Sequence, residues 1–425
     1  MSEPVFVVGV ARTDFLRNLR KEGKTIRDLI VEAGAAAIAD GGIDPGAIKA
    51  AVVGNFAGGL FTRQLHLGAF VTEIDPALRG IPTMHVEAAC ASGGVAVLTG
   101  AQQIMGGLRD VVLVIGAEQQ KTMPPSEVAD VLGAAADYHE ERARHGDFMF
   151  PKLFARIAQA YGDRHGLTET QLARVAAKNH AHARLNPLAQ MRNSELTFEQ
   201  ACVASETNPA IAPPLKVSDC SQITDGSAAL VLCSKRFLDR LRPRHSARLL
   251  GYGHTTDYLS LEKKEAPDFP IAASAATRAY RMSGVRPGDI HGAEVHDCFS
   301  ISEIVQYELL GFADPGKGVE LLESGATALP VVRDSLQIRN PNRRPSRGGG
   351  GRLKSEIRNL PINAGGGLMG DGHPVGATGV RQVVEAFQQL SGEAGARQIS
   401  GARRFLTCNI GGSLTTTVVM IWEAM

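Results

Sequence analysis

The chain repeats part of itself, and this repeat constrains the fold more than any other feature of the sequence. Residues 42–53 align without a gap with residues 284–295, and six of the twelve positions are identical. A weaker echo pairs residues 107–113 with residues 401–407. At 425 residues the chain is also long enough for two domains or one doubled domain. The sequence therefore predicts a duplicated unit.

The order of apolar segments predicts the class of that unit. Short apolar runs such as residues 6–10 and 50–53 alternate with longer segments of helical period such as residues 26–39. This alternation is typical of an α/β sheet with helices on its faces. The predicted divisions are an N-terminal half of residues 1–120 and 209–245, an inserted loop subdomain of residues 121–208, and a C-terminal half of residues 246–425.

Within the C-terminal half, residues 333–360 form a basic insertion rich in glycine and arginine. It carries eight basic and two acidic side chains in a chain whose net charge is +1. A solvated loop is the simpler interpretation. A second use, binding of a ligand's phosphate groups, stays open.

Charge and cysteine content exclude several classes of protein. The 45 basic and 44 acidic side chains nearly balance, which disfavours a nucleic-acid binder. No apolar run approaches the roughly 20 residues that a membrane-spanning helix needs, and the first residues do not resemble a secretory signal. Six cysteines are too few for a disulfide scaffold. We expect free thiols and a cytoplasmic location.

Residues 87–94 are a candidate nucleophile loop. Small residues surround Cys90 between a predicted strand and a predicted helix. At a helix N-terminus, free amides and the helix dipole stabilise a thiolate, so we expect a lowered pKa for Cys90. A small cysteine buried in a tight turn would show the same pattern.

A thiol nucleophile needs a base, and residues 372–379 offer one. His373 is followed by Pro374, which favours a helix start and a rigid loop. Glycines lie on both sides of this segment and keep the loop thin. The pattern predicts that His373 is presented from a fixed turn to accept a proton.

Two further segments add polar groups at predicted strand ends. His296 and Cys298 follow the second repeat copy, and alternation places them on one side of an extended backbone. Cys408 precedes a late glycine turn in which the amides of Gly411 and Gly412 could bind an oxyanion. A core cysteine beside a hydrogen-bonded histidine is the alternative for the first segment, and an ordinary glycine turn is the alternative for the second.

Together these segments resemble the four catalytic loops of the thiolase family. The motifs are the CxS at residues 90–92, the HDCF at residues 296–299, the GHPxGATG at residues 372–379 and the late glycine turn. They occur in the family's order and span most of the chain. The resemblance implies the thiolase-like fold, in which two α/β halves form five layers, α-β-α-β-α, with an inserted loop subdomain. The HDCF form is similar to the sterol-carrier-protein type of thiolase.

One departure from the family pattern concerns the second cysteine. Many thiolases carry a cysteine two residues before the glycine of the last loop, where this chain has Asn409. Cys408 lies one position earlier. The HDCF subgroup implies Cys298 as the acid/base instead, with Cys408 as the reserve candidate.

The resemblance also implies a reaction. His373 takes the proton of Cys90, and the thiolate attacks an acyl-CoA to form an acyl-enzyme. Cys298 then removes an α-proton from a second acyl-CoA, and His296, with a water, stabilises the enolate oxygen. The oxyanion at Cys90 is held by backbone amides, those of Cys90 itself and Gly411 first. This Claisen step makes a 3-ketoacyl-CoA, and thiolysis is its reverse.

Ligands and partners follow from the same resemblance. Coenzyme A thioesters are substrates, and no separate cofactor or metal is expected, since the cysteines and histidines lack zinc spacing. Lys178 and Arg184 are candidates for the phosphates of coenzyme A. A homodimer across the N-terminal half, or a homotetramer, is implied, and a small zinc-ribbon or OB-fold partner is an option.

Three alternatives stay open. The fold could serve retro-aldol cleavage or carbon acylation of another acceptor with a small partner protein, although an aldolase has no need of Cys90. It could be a ketosynthase acting on carrier-protein thioesters, which usually has two active-site histidines in other motifs. It could also be a non-catalytic protein that binds coenzyme A.

Overall fold

A computed structural model describes residues 2–333, 336 and 359–425 of the chain. Most of the predicted basic insertion, residues 333–360, lies outside these residues. The strands in the described part are β1 Val5–Arg12, β2 Ala50–Gly54, β3 Thr83–Val86, β4 Val111–Glu118, β5 Ala210–Ala212, β6 Leu215–Lys216, β7 Gly226–Ser234, β8 Ala247–Thr256, β9 Gly292–Glu294, β10 Arg404–Gly411 and β11 Thr416–Ala424.

The α-helices of the same part follow in chain order, with short 3₁₀ turns between several of them. They are α1 Leu19–Glu22, α2 Ile26–Asp40, α3 Gly58–Phe61, α4 Ser92–Met105, α5 Pro125–Gly133, α6 Tyr138–His145, α7 Met149–His165, α8 Glu169–Ala183, α9 Phe198–Cys202, α10 Lys235–Leu241, α11 Pro270–Ser283, α12 Ser300–Leu309, α13 Gly318–Glu323, α14 Pro330–Arg333 and α15 Thr378–Ser391.

The large sheet consists of two halves whose strands follow matching orders, apart from the additional edge strand β3. The N-terminal half runs β3-β2-β4-β7-β1, and the C-terminal half, read inward from its own edge, runs β9-β10-β11-β8. In each half the strand of the repeat pairs in parallel with the strand of the weaker echo, β2 with β4 and β9 with β10. The halves meet where β1 pairs with β8 at only two positions.

The repeated segment folds in the same way in both halves. In the first copy a 3₁₀ turn over Pro45–Ala47 leads into β2, and in the second a 3₁₀ turn over Pro287–Asp289 leads into β9. The predicted duplicated α/β fold is confirmed. The weaker echo also falls on equivalent strands, because it ends in β4 and β10.

Alternating side chains on the strands build the predicted five layers. Val53 of β2 faces a core with Ile30 of α2, whereas Val52 faces a core with Val97 of α4 and Val383 of α15. On the other half-sheet, β8 and β11 pack against α11. The order is therefore α2, half-sheet, α4 with α15, half-sheet, α11. Helices α4 and α15 form the central layer.

Local sequence sets the ends of these elements. Helix α8 begins after Thr168, where the Thr168 amide donates to the Gln171 side chain at 2.9 Å and the Gln171 amide donates to the Thr168 hydroxyl at 3.3 Å. This reciprocal pair is a capping box, which satisfies two free amides at a helix start. Helix α11 ends at Gly284, whose φ of 70° favours glycine.

The segment between β4 and β7 contains helices α5 to α9 and packs against helices α12 and α13 of the C-terminal half. Leu153, Phe154 and Tyr161 of α7 belong to the same core as Ile301 and Ile304 of α12. The domain boundaries given above stay a prediction. Among the described residues, no helix combines the length and apolar character needed to cross a membrane.

Candidate active site

Cys90 lies in a tight turn between β3 and α4. Ala89 has a φ of 51°, in the left-handed region that non-glycine residues seldom adopt. The Ser92 hydroxyl holds this turn, because it accepts a hydrogen bond from the Ala88 amide at 2.9 Å and donates one to the Ala89 carbonyl at 2.6 Å. The turn therefore presents Cys90 immediately before the N-terminus of the central helix α4.

His373 lies in the loop that leads into the other central helix, α15. Its amide donates to the Thr224 hydroxyl at 2.9 Å, and its Nδ1 lies 2.7 Å from the Thr378 hydroxyl oxygen. The Thr378 hydroxyl donates its only hydrogen to the Pro374 carbonyl at 3.1 Å. Nδ1 of His373 must then be the donor to Thr378. Nε2 is left without a hydrogen and is the nitrogen that can accept a proton.

His296 and Cys298 lie just beyond β9, as the repeat predicts. The His296 amide donates to Gln306 Oε1 at 2.9 Å, and its carbonyl accepts from Gln306 Nε2 at 2.8 Å. The Cys298 carbonyl accepts from the Ser221 amide at 2.9 Å. Between them, Asp297 turns away and accepts from Asn179 at 2.7 Å. The two residues of chemical interest are thus fixed by backbone contacts.

The loops converge on one small group. The Cys90 thiol and one ring nitrogen each of His296 and His373 lie within 4.8 Å of one another, and the two rings meet edge to face with centroids 5.1 Å apart. A thiolate and two imidazoles could hold an ion such as Zn²⁺. The same set also makes a nucleophile with a general base.

Burial dominates the electrostatics of the pair. It raises the pKa of Cys90 to about 12, although the backbone amides of Gly412 and of Cys90 itself oppose the rise. Burial, with the nearby charge of Arg381, lowers the pKa of His373 to about 3. The predicted lowering of the Cys90 pKa is wrong, because the free energy needed to desolvate the thiolate exceeds the stabilisation that the backbone amides provide. At neutral pH both partners are uncharged.

The oxyanion candidate in the late glycine turn is Gly412. Its amide favours the thiolate of Cys90, because it opposes the rise in the pKa of that thiol. Gly411 ends β10 so close to the Ala88 carbonyl that a Cβ could not fit there. Gly411 therefore permits the close approach of the two loops, and the assignment of the oxyanion amides to Gly411 and Gly412 stays a prediction.

Cys408 does not join the group. Side chains alternate along β10, so Cys408 packs in the outer core with Ala275 of α11 and Val419 of β11. Its neighbour Asn409 faces the central layer instead and donates to the Cys90 carbonyl at 3.0 Å. Cys298, by contrast, lines the same cavity as Cys90. The structure thus separates the two candidate acid/base cysteines.

Neither predicted phosphate ligand lies at this site. Lys178 is fully buried, forms an ion pair with Glu303 at 2.6 Å and donates to the Ile362 carbonyl at 3.0 Å. The expectation for Lys178 is wrong, because an ammonium held in this way cannot reach a ligand. Arg184 is exposed and pairs with Glu195 at 3.0 Å, outside the cavity lining.

A mainly apolar cavity of about 250 Å³ leads to the reactive group. Cys90, Cys298, His373 and Gly412 line it. Its apolar walls come from the segment between β4 and β7 and from the HDCF loop, and include Val128, Leu132, Phe148, Phe150, Ile211, Val217, Ile223 and Phe299. The cavity joins the motif residues to a surface suited to an apolar group.

Sequence reasoning missed two residues of the site. Thr378 lies within the GATG segment, which signals its importance only in combination with His373. Asn409 was noted as a departure from the family pattern, and its contacts with Cys90 and His296 depend on the face of β10 that it occupies. Strand alternation past Cys408 is the signal that could have indicated this.

The fold and site define a duplicated α/β enzyme with a thiol beside a base. Family models name it more closely: "Thiolase, N-terminal domain" matches residues 5–236, and "Thiolase C-terminal domain-like" matches residues 253–331 and 348–424. The chain belongs to the thiolase family and is an acyltransferase. The resemblance inferred from the four motifs is confirmed.

Similar proteins agree over nearly the full length. The acetyl-CoA acetyltransferase of Methanothermobacter thermautotrophicus is 35% identical over 99% of this chain and 99% of its own. Sterol carrier protein 2 of Bos taurus is 32% identical over 97% of this chain and 72% of its own length. Among solved structures, the Ltp2-ChsH2(DUF35) aldolase covers 99% of this chain and 98% of its own, at 22% identity and a TM-score of 0.77. The structure of human mitochondrial 3-ketoacyl-CoA thiolase in complex with CoA covers 100% of this chain and 98% of its own, at 17% identity and a TM-score of 0.69.

Proposed function

We propose that the protein makes or cleaves 3-ketoacyl-CoA through an acyl-enzyme on Cys90. The observation that carries this proposal is the convergence of Cys90, His373 and Cys298 on one mainly apolar cavity. A nucleophile, its base and a second acid/base group are what a Claisen condensation requires. Family membership supports coenzyme A thioesters as the substrates.

In the first step, Nε2 of His373 accepts the thiol proton while the Cys90 sulfur attacks the carbonyl carbon of an acyl-CoA. The tetrahedral oxyanion is stabilised by the Gly412 amide together with that of Cys90. As it collapses, the bond to the coenzyme A sulfur breaks, and the proton on His373 passes to that sulfur. Covalent catalysis divides one difficult reaction into two easier ones. The products are free coenzyme A and an acyl group on Cys90.

In the second step, Cys298 acts as the base. His373, neutral again after the first step, accepts the thiol proton of Cys298, and the Cys298 thiolate then removes a proton from the α-carbon of a second acyl-CoA while His296 stabilises the enolate oxygen. The enolate carbon attacks the acyl carbonyl on Cys90, a carbon–carbon bond forms, the bond to the Cys90 sulfur breaks, and that sulfur takes the proton back from His373. Because burial and the adjacent Cys90 raise the pKa of Cys298 well above its ordinary value, its thiolate is a strong base once formed. Thiolysis runs along the same path in reverse.

The cavity favours an acyl group larger than acetyl. Its walls are aliphatic and aromatic side chains, and each methylene moved from water into such surroundings gains about 0.8 kcal/mol. We therefore propose that binding improves with acyl chain length until the 250 Å³ cavity is filled. Coenzyme A itself enters as part of the substrate, so no resident cofactor or metal belongs to this proposal.

Location and assembly complete the proposal. All six cysteines are free, which supports a reducing, cytoplasmic environment. We propose a homodimer, which the family resemblance implies, or a tetramer built from two such dimers. A small partner stays an option, because one structurally similar protein is named as an assembly with a DUF35 chain.

Retro-aldol cleavage is the second candidate, since that same structure is named as an aldolase. The two reactions differ in their need for Cys90. Claisen chemistry needs the nucleophile, whereas retro-aldol cleavage needs a base but forms no acyl-enzyme. A Cys90→Ala variant that still cleaves its substrate would favour the aldolase.

The role of Cys298 can be tested by separating the two steps. In Cys298→Ala we expect acylation of Cys90 to persist, while the carbon–carbon step slows by about 10² to 10⁴, the range of general acid–base catalysis. Acylation is followed by protein mass and the second step by the 3-ketoacyl-CoA formed or consumed. The control is Cys233→Ala, which changes a buried cysteine on β7. Equal loss in both variants, or no loss in Cys298→Ala, contradicts the role.

A further inference from the structure

Asn409 occupies a pocket made for its side chain between the two central helices. Its Oδ1 accepts a hydrogen bond from the Gly94 amide at 2.9 Å, and its Nδ2 donates to the Cys90 carbonyl at 3.0 Å. A Cβ at Gly94 or at Gly379 would press on Oδ1. Both glycines therefore leave the space that the amide fills.

The orientation of this amide is fixed by backbone groups alone. A backbone N–H can only donate and a backbone carbonyl can only accept. The Gly94 amide therefore needs an oxygen opposite it, and the Cys90 carbonyl needs an N–H. Turning the Asn409 amide over would place two donors together at Gly94 and two acceptors together at Cys90. The assignment of Oδ1 and Nδ2 does not depend on any histidine.

The second hydrogen on Nδ2 of Asn409 meets His296. Nδ2 lies 3.2 Å from Nδ1 of that ring. Because Nδ2 can only donate, Nδ1 of a neutral His296 must be the acceptor and carries no hydrogen. The hydrogen of the ring is then on Nε2. The Gln306 contacts with His296 reach only its backbone, and Asp297 turns away, so Asn409 is the side chain here that sets the tautomer.

We propose that Asn409 is a positioning residue that holds His296 as the Nε2–H tautomer and so makes this ring a hydrogen-bond donor at the reaction centre. His373 is held in the opposite tautomer by Thr378. The two rings of the site are thereby given different tasks: one accepts a proton and the other donates a hydrogen bond. The donor task at the enolate oxygen rests on the proposed function, whereas the tautomer does not.

The tautomer can be measured directly in the full-length protein. NMR of enzyme with ¹⁵N-labelled histidine rings distinguishes a nitrogen that carries hydrogen from one that does not, and His296→Gln identifies the signals. We expect Nε2–H and a bare Nδ1 for His296 in the wild type. A wild-type ring with hydrogen on Nδ1 overturns the proposal, whether or not any variant folds.

The Asn409→Asp variant tests the cause. A carboxylate can still accept from the Gly94 amide but cannot donate, so Nδ1 of His296 should gain a hydrogen, either by a change of tautomer or by formation of an imidazolium beside the carboxylate. If Nδ1 stays bare in this variant, Asn409 does not set the tautomer. Asn208→Asp is the matched control: Asn208 is buried, accepts from the Ser218 amide and donates to two backbone carbonyls, but contacts no histidine. It should leave the His296 signals unchanged.

Kinetics then test the donor task. In Asn409→Asp the carbon–carbon step should slow by about 100-fold or more, the usual effect of losing one such donor. Acylation of Cys90, which uses His373, should change much less. If the hydrogen moves to Nδ1 of His296 but the rate of the carbon–carbon step does not change, His296 is not the hydrogen-bond donor to the enolate oxygen. A wild type with the expected tautomer but no activity on acyl-CoA would refute the proposed function and leave the tautomer assignment intact.

Discussion

Cys90 and His373 form a neutral pair because burial acts on both in the direction that removes charge. The thiol is held as a thiol and the imidazole as an imidazole, with pKa values of about 12 and about 3. Without substrate, Cys90 of such a pair is therefore a thiol and not a thiolate. The thiolate forms only as the proton passes to His373, in contact with a substrate that fills the cavity and excludes water.

This neutral pair predicts an unusual pH dependence for the reaction of Cys90 with an alkylating reagent. When His373 accepts the thiol proton as the sulfur attacks, the rate follows the fraction of neutral pair, which is constant between the two pKa values. The rate constant for alkylation of Cys90 should therefore be flat from about pH 5 to pH 8 and fall only under more acid conditions, as His373 gains a proton. The measurement is mass-resolved alkylation with iodoacetamide across this range.

A sigmoidal rise with a midpoint between pH 6 and 8 would contradict the neutral pair, since it would show an ordinary thiol or histidine titration. The His373→Gln variant, which lacks the base, is compared with the wild type in the same experiment. Without the base, alkylation should be slow at neutral pH and rise only at alkaline pH, where the thiol itself loses its proton.

At the residue scale, the motif positions were predictable and their environments were not. Local sequence indicated Cys90, His296, Cys298 and His373, because each follows a strand end or precedes a helix start. The pKa of Cys90 was predicted in the wrong direction, because burial depends on loops distant in sequence. Lys178 was misassigned because nothing near it in sequence reveals its buried partner Glu303.

The late glycine turn is the element whose position matters most for the oxyanion. It joins β10 to β11 and is held from outside by Lys264, which donates to the Ser413 carbonyl at 2.6 Å and to the Thr415 hydroxyl at 2.7 Å. Lys264 is buried, and burial lowers its pKa to about 8. A side chain far from the reactive group thus fixes the turn that contains Gly412.

Replacing this support should impair catalysis. In Lys264→Met the turn loses its three hydrogen bonds from the ammonium group. A shift of about 1 Å in a positioned group can cost about 100-fold in rate, so we expect acylation of Cys90 to slow by about that factor. The rate of protein mass gain measures it.

Lys263 provides the control for this prediction. It is adjacent in sequence and mostly exposed, with a loose ion pair to Glu140 at 3.7 Å. Exposed ion pairs contribute little to stability, so Cys90 of Lys263→Met should be acylated at the wild-type rate. If Lys264→Met also does so, the turn does not need the ammonium group.

At the element scale, the repeat was the informative signal. It predicted that β2 and β9 are equivalent, and it located His296 and Cys298 at a strand end before any contact was known. Periodicity could not indicate which face of β10 points to the centre. Alternation requires that Cys408 and Asn409 lie on opposite faces, but only the packing of α15 between the half-sheets selects Asn409.

The whole molecule has one edge suited to self-association. Strand β3 ends the N-terminal half-sheet, and within the described residues it pairs with β2 alone. It carries no Asp, Glu, Lys or Arg, and Met84 is 38% exposed. Exposed strand edges without charge or proline tend to pair with another chain. This edge is where we expect the proposed homodimer to form.

Met84→Lys tests this interface. A charge on the edge strand should shift the protein from dimer toward monomer, because a lysine buried at an interface without a partner is costly. Light scattering after size-exclusion chromatography gives the mass. Leu108→Lys is the control, since Leu108 is an exposed apolar residue in a turn outside the sheet edge. If the wild type has the mass of a monomer, or if Met84→Lys leaves a dimer intact, the interface does not lie at this edge.

The duplicated five-layer architecture was the most predictable property of the molecule, because a repeat and four motifs in order constrain the chain over most of its length. The shape of the cavity was not predictable. Its walls combine α5, the start of α7 and residues 211–223, and their packing over Cys90 depends on contacts between segments far apart in sequence.

The central claim is that Cys90 carries the acyl group. The direct test is the intact mass of the protein after brief incubation with acetyl-CoA and, separately, with hexanoyl-CoA, for the wild type and for Cys90→Ala. The account predicts one added acyl group in the wild type, more complete with the longer chain, and none in the variant. No adduct with either thioester, or an adduct that persists in Cys90→Ala, would contradict it.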